Sequence, residues 1–349
     1  MRGTSLLRLP TTVLVDDEKQ KITERYVPVG VCGCLNPWNI PMISVATKLA
    51  AALVAGNTVV IKPSPFTPLT TLRFGRDIQQ LVPPGVVNIL NGDNNLGPMM
   101  TTHPGIDKIS FTGSSFTGQK VMESASNGLK AITLELGGND PMILLPDVDP
   151  KALAPKIFWG TFLNSGQGCI AEYSKTIKVG NGLDPESQLG PIQNLAQYRK
   201  VLSYFEDAHA NGYKFALGGD VNPNPTTGLY IPISILDNPP ENSKIVREEP
   251  FGPIVPLLKW SNEEDVIKRA NDTNLGLAAS VWGKDTTTVE RIALQIQAGT
   301  VTMNQFISFQ PNTPFAGHKH SGIGVEGGIE GLKAYSNIQI VTLSKEPTP

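Results

Sequence analysis

The chain has 349 residues, of which 40 % are hydrophobic and 17 % charged, with a net charge of −2. These values fit a globular protein with room for roughly two domains. The near-neutral charge, with scattered basic residues, leaves no electrostatic footprint for nucleic acid or an anionic membrane surface.

Residues 11–28 place Asp16-Asp17-Glu18-Lys19 between two extended runs, the pattern of a hairpin arm. Hydrophobic periodicity then predicts a strand over 27–35, a helix over 41–55 stopped by Gly56-Asn57, and a buried strand over 58–62. A helix over 68–81 and strands at 86–90, 108–112 and 131–135 follow, with a helix over 115–125. Strands separated by helices imply a doubly wound, mainly parallel sheet, whose crevices at the carboxyl ends of the strands bind nucleotides. A second α/β unit starts near 141, with helices expected over 149–164, 195–211, 262–271 and 287–297. Its strands are expected at 254–258, 278–282 and 299–304, and a last strand at 339–343. Gly-, Pro- and Asn-rich stretches at 180–187, 222–228 and 237–241 read as surface loops. Edge strands such as those of the arm often pair with another subunit.

No secretory pattern is found in residues 1–10, and the longest apolar stretch, 41–56, is interrupted by Lys48. That stretch is shorter than the roughly 20 residues a helix needs to span a bilayer. Three cysteines make no disulfide framework and suit a reducing compartment, so a cytoplasmic location is expected. Cys32 and Cys34 share one strand face and read as buried packing rather than as half of a zinc site.

Cys169 is the strongest candidate nucleophile. It follows Gly166-Gln167-Gly168, which gives the backbone room near a substrate, and backbone amides can lower a thiol pKa. A buried helix cysteine is the alternative. Glu135 closes an apolar strand before Gly137-Gly138. A carboxylate there is either solvated or desolvated into a base able to take a proton from water. Asn39, in Pro37-Trp38-Asn39, can donate to an oxyanion or simply form a turn. Lys62 ends a strand, where it reaches ribose hydroxyls or phosphate, or only solvent. Gly113-Ser114-Ser115-Phe116-Thr117-Gly118 opens a helix after a strand and offers amides to a pyrophosphate, although it is not the common G-x-G-x-x-G pattern. His103, His209, His318 and His320 lie in no thiol-protease or metal context and read as surface or loop residues. No metal site is expected.

Taken in order, the motifs resemble the aldehyde dehydrogenase superfamily. They are Pro37-Trp38-Asn39, Ala55-Gly56-Asn57-Thr58-Val59-Val60-Ile61-Lys62-Pro63, Pro84-Gly85-Val86-Val87-Asn88, Phe111-Thr112-Gly113-Ser114 and Glu135-Leu136-Gly137-Gly138. They continue with Gly166-Gln167-Gly168-Cys169, Glu248-Glu249-Pro250-Phe251-Gly252-Pro253 and Pro314-Phe315-Ala316-Gly317-His318-Lys319-His320-Ser321-Gly322. The resemblance implies a Rossmann-type NAD(P)-binding domain over 29–136, a catalytic thiol domain over 137–326, and an oligomerisation arm over 1–28. A C-terminal helix and oligomerisation strand over 327–349 complete it.

By the same resemblance, an aldehyde is oxidised to a carboxylic acid. Cys169 would add to the aldehyde, Asn39 and the Cys169 amide would hold the oxyanion, and Glu135 would activate water against the thioester. Lys62 and Glu249 would bind ribose hydroxyls, Ser114 the pyrophosphate, and Phe251 the nicotinamide ribose, with Trp38, Gly113 and Leu136 completing the cofactor-binding set. NAD is the implied cofactor. NADP stays open, because Pro65 stands where many NAD-preferring relatives carry a ribose-binding glutamate. The implied partners are a small aldehyde and further copies of the chain, as a dimer or tetramer. Phe158, Trp159, Phe162, Leu163, Ile170 and Phe309 are candidate lining for an apolar or aromatic aldehyde, with core packing as the alternative.

Set against the family pattern, the chain begins near the arm, without roughly 100 residues that precede it in relatives. It also lacks roughly 20 residues after Ala171, including a strand of the central sheet. A second reading is therefore an impaired homologue that binds nucleotide or a partner subunit. Glu135 argues against a CoA-acylating relative.

Overall fold

The computed structural model describes residues 7–167, 177–221, 223, 228–307 and 310–346. Strand β1 (Thr12–Asp16) turns antiparallel into β2 (Gln20–Pro28). The turn is fixed by Asp17, whose Oδ1 accepts the Lys19 and Gln20 amides, each at 2.8 Å. The strand expected over 27–35 is broken, and β3 starts afresh at Val31–Leu35. Gly30 makes the break. Its φ is +125°, and a Cβ there would meet the Asp107 carboxylate at 2.2 Å, a conformation and closeness that only glycine accepts.

Helix α1 (Pro41–Val54) begins with proline in its first turn, where the missing N–H costs nothing. It is followed by β4 (Thr58–Lys62), α2 (Leu69–Ile78), β5 (Val87–Ile89), α3 (Leu96–Thr102), β6 (Lys108–Thr112), α4 (Ser115–Ser126) and β7 (Ala131–Glu135). α3 has no counterpart in the sequence reading, since seven residues are too few to show a helical period. Strands β3 to β7 are mutually parallel, in the order β7-β6-β3-β4-β5. Cys32, Cys34, Val59 and Ile61 pack with Val45, Leu49 and Ala52 of α1 in one cluster. Ile109 and Leu134 pack with Met100 of α3 and Val121 of α4 in another. Each fully buried aliphatic side chain contributes about 1.5–3 kcal/mol. Cys32 and Cys34 are fully buried, and burial raises both thiol pKa values, that of Cys34 to about 12.

A second unit runs from Gly137 to Ile307 and takes in His318–Ser321. It holds β8 (Met142–Leu144), α5 (Pro150–Phe162), α6 (Leu195–Ala210), β9 (Phe215–Leu217), β10 (Ser234–Asp237), α7 (Lys244–Arg247), β11 (Ile254–Leu257) and α8 (Glu263–Asn271). It continues with β12 (Leu275–Gly276), β13 (Ala278–Trp282), α9 (Thr286–Ala293), β14 (Thr300–Met303) and β15 (His318–Lys319). The helix expected over 149–164 stops at Phe162. Asn164, Ser165 and Gly166 then take left-handed φ values of 56°, 58° and 70° in a tight turn. Among the described residues the strands form two three-stranded sheets, β14-β13-β8 and β11-β10-β9, besides the pair β12-β15.

The chain returns to the first unit with β16 (Gly322–Ile323), α10 (Gly328–Lys333) and β17 (Ser336–Ser344). β16 adds antiparallel to β7, and β17 pairs with β2 from Ser336↔Pro28 to Ser344↔Gln20. Of the stretch 137–326 expected as the catalytic domain, residues 310–317 and 322–326 group with the first unit.

Candidate active site

In the first unit the sheet order reverses between β3 and β6, a topological switch point of the kind that binds ligands at carboxyl strand ends. Trp38 and Asn39 follow β3, Lys62 ends β4, Gly113 and Ser114 follow β6, and Glu135 and Leu136 close β7. Register puts them level: Lys62 lies opposite Leu35, Leu35 opposite Phe111, and Thr112 opposite Glu135. Seven residues singled out from sequence therefore share one edge of one sheet.

Ser114 caps α4, its Oγ accepting the Thr117 amide at 3.3 Å. The helix N-terminus leaves further amides for an anion. Gly113 donates its N–H to the Glu135 carbonyl at 3.0 Å, and a Cβ on it would meet the Phe111 ring at 2.4 Å. The Lys62 side chain is buried, its Nζ donating to the Pro63 carbonyl at 3.3 Å. Burial lowers its pKa, opposed by Asp93.

Glu135 is 5 % exposed, and neither carboxylate oxygen has a hydrogen-bond partner among the described residues. Burial, followed by repulsion from Glu326, holds its carboxyl well above the usual carboxylate range, with Lys48 opposing. Lys48 pairs with Glu326 and donates to Thr112 Oγ1 at 2.8 Å, and Ser110 donates to Glu326 Oε1 at 3.2 Å. The sequence reading did not single out Lys48 and Glu326. The signal was a lysine inside an otherwise apolar helix, since a buried ammonium demands a partner.

In the second unit, Glu249 accepts the Gly138 amide at 3.2 Å. Burial pushes its carboxyl up to about 7, against the lowering effect of that amide. Phe251 is held at a φ of +54°, a strain of about 1–2 kcal/mol for a residue with a side chain. Helix α6 supplies the restraint. Gln197 donates to the Pro250 and Phe251 carbonyls at 3.0 and 2.9 Å, Lys200 to the Glu249 carbonyl at 2.7 Å, and the Tyr204 hydroxyl to the Glu248 carboxylate at 3.1 Å. A rigid loop thus presents Glu249 and Phe251.

Cys169 lies outside the described residues, as do Ile170 and Phe309. The turn before it is well anchored: Ser165 Oγ donates to the Gly190 carbonyl at 2.8 Å, and Gln167 Oε1 accepts the Gln193 amide at 2.9 Å. Phe158 and Phe162 are fully buried among Leu189, Ile233 and Ile235. Core packing therefore accounts for both, while Trp159 and Leu163 are exposed. His318 and His320 are exposed, and His209 Nε2 sits 3.0 Å from the Gly219 carbonyl. Among the described residues no helix is long and apolar enough to cross a membrane.

The sequence model described as the Aldehyde dehydrogenase family matches residues 4–174 and 170–341. An aldehyde dehydrogenase of Fusarium sp is 38 % identical over 359 residues, covering 99 % of this chain and 77 % of that protein. Retinaldehyde dehydrogenase 3 of Mus musculus is 38 % identical over 357 residues, covering 96 % and 69 %. The solved structure of betaine aldehyde dehydrogenase from Staphylococcus aureus, in complex with NAD+, superposes with a TM-score of 0.93 at 32 % identity, over 99 % of this chain and 74 % of that one.

Proposed function

The chain is a member of the aldehyde dehydrogenase family, and from that premise we propose that it oxidises an aldehyde to a carboxylic acid with NAD(P)+ through a thioester on Cys169. The observation that carries the reading is Glu135, a carboxylate buried without a hydrogen-bond partner among the described residues, at the carboxyl edge of a nucleotide-type sheet.

The thiolate of Cys169 adds to the aldehyde carbon, and the Asn39 amide and Cys169 N–H stabilise the resulting oxyanion. When bound, NAD(P)+ would supply the acceptor for the hydride that leaves this carbon. The chain's own residues bind and orient the dinucleotide: Lys62 and Glu249 at ribose hydroxyls, Gly113, Ser114 and the α4 amides at the pyrophosphate. Trp38, Leu136 and Phe251 supply apolar contact. The NAD+ complex of the Staphylococcus aureus relative supports NAD as the cofactor, and Pro65 leaves NADP admissible. Glu135 then takes a proton from water as the water oxygen attacks the thioester, which expels the Cys169 thiolate and releases the acid. Its raised pKa makes it a stronger base than an ordinary carboxylate once ionised.

Glu135→Gln tests this order of events. It should give a burst of about one reduced nicotinamide per subunit, with steady turnover lowered by about 10²–10⁴. Steady turnover equal to the parent's would contradict the role of Glu135.

The arm is assigned to subunit contact, because Leu14, Ile338, Ile340 and Leu343 are exposed on its strands. A monomeric mass by light scattering at micromolar concentration would refute that assignment. A second reading, nucleotide binding without turnover, is favoured by the divided strands of the second unit. A folded sample that binds NAD+ yet never forms reduced nicotinamide would establish it.

A further inference from the structure

The loop that carries Trp38 and Asn39 runs from the end of β3 at Leu35 to the start of α1 at Pro41. Pro37 and Pro41 fix their own φ and hold Asn36 and Ile40 away from helical backbone. Ile40 accordingly sits at a φ of −133°. Prolines stiffen the loop locally, but only a contact beyond it can fix where the loop stands on the sheet.

Asn36 makes that contact. Its amide donates to the Lys62 carbonyl at 3.0 Å, which continues the β3–β4 ladder past Leu35. Its side chain reaches the helix instead: Oδ1 accepts the Ser44 hydroxyl at 2.8 Å, and Nδ2 donates to the Cys34 carbonyl at 3.4 Å. Ser44 lies in the first turn of α1, and its amide donates to the Ile40 carbonyl at 3.1 Å. Among the described residues no side chain caps this helix start. The loop is therefore closed into a ring, from the sheet to Asn36, across to Ser44, and back through Ile40.

Both side chains are buried, Asn36 at 7 % and Ser44 at 5 % exposed. Folding alone does not call for a polar pair here, since two apolar groups of the same shape would avoid its desolvation. What the pair adds is direction, because a hydrogen bond fixes distance and angle where apolar contact does not.

We propose that Asn36 and Ser44 are positioning residues, whose hydrogen bond holds the Asn39 amide where the oxyanion develops. The proposal rests on the role given to Asn39 under the proposed function. A displaced donor is costly, because a shift of about 1 Å can lower a rate by about 10²-fold.

The test compares Ser44→Ala with Ser44→Thr, which keeps the hydroxyl, and with Asn39→Ala alone and combined with Ser44→Ala. Circular dichroism confirms the fold of each. Ser44→Ala should lower kcat by about tenfold or more, with the KM for NAD+ changed by less than about twofold. Ser44→Thr should recover most of that loss. In the Asn39→Ala background, Ser44→Ala should cost less than about twofold, since no donor remains to be placed. Hydrogen exchange needs no turnover: amides of Trp38, Asn39 and Ile40 should exchange about tenfold faster in Ser44→Ala, while β3 amides keep their rates. Turnover lost in Asn39→Ala but kept in Ser44→Ala would overturn this proposal alone. So would an equal loss in both backgrounds, or unchanged exchange at 38–40. Full turnover in Asn39→Ala would instead remove the oxyanion role, and this proposal with it.

Discussion

The two units are built from the same alternation of strand and helix, yet among the described residues the sheet of the first is continuous over six strands while the second holds two three-stranded sheets. Continuity matters because it sets side chains level. In the first unit, pairing carries a common register from Lys62 through Leu35 and Phe111 to the end of β7, so candidate residues from four chain segments meet at one edge. In the second unit, Glu249 and Phe251 are positioned by side chains of α6 gripping a loop. A site can therefore be fixed by a sheet or by a helix that clasps a turn. The two constructions should respond differently to damage.

The largest expected effect falls in the sheet-built half. Lys48→Met leaves Glu326 without its ammonium partner and should cost about 3–5 kcal/mol in denaturant unfolding. A loss below about 1 kcal/mol would show that water reaches Glu326 well enough to replace the lysine.

Glu135 gives a pH-dependent contrast. Its carboxyl is raised in the folded chain, so the folded state holds a proton that the unfolded state releases above about pH 4. Stability therefore falls as pH rises from the ordinary glutamate pKa towards the raised one. Glu135→Gln escapes that loss. It should match the parent below about pH 4 and exceed it by about 2 kcal/mol near neutrality. Equal stability at both pH values would mean that Glu135 is solvated when ionised.

A smaller change is expected at the clasped loop. Phe251→Gly relieves a left-handed φ and should stabilise by about 1 kcal/mol while weakening NAD+ binding. Destabilisation would mean that packing by the ring outweighs the strain. Native-state hydrogen exchange sharpens the comparison further. Amides of β3 and β6, inside the continuous sheet, should exchange more slowly than those of β8. The reverse order would remove the distinction between the units.

Much of this was legible in the sequence. Strands 58–62, 108–112, 131–135 and 278–282 were readable to the residue, because each is a short apolar or β-branched run between turn signals. The break at Gly30 was not, because the left-handed φ depends on Asp107, which is distant in the chain. Nor was the early end of the helix at Phe162, since nothing local announces three left-handed residues in succession. The resemblance of the motifs carried the site residues, and the sheet then gathered those of the first unit. The Lys48–Glu326 pair was hidden because its members are 278 residues apart, and only the return of the chain through β16 joins them. Phe158 and Phe162 stood open between channel and core, because an aromatic run on a helix reads the same whether it lines a channel or a core.

The central claim, aldehyde oxidation through a Cys169 thioester, is tested most directly by reduced-nicotinamide absorbance on the purified chain. NAD+ and NADP+ would each be supplied with aliphatic and aromatic aldehydes, and Cys169→Ser would be run alongside. The account predicts steady formation of reduced nicotinamide that disappears in Cys169→Ser. Turnover that survives in Cys169→Ser, or none from a folded chain that binds the cofactor, would contradict it.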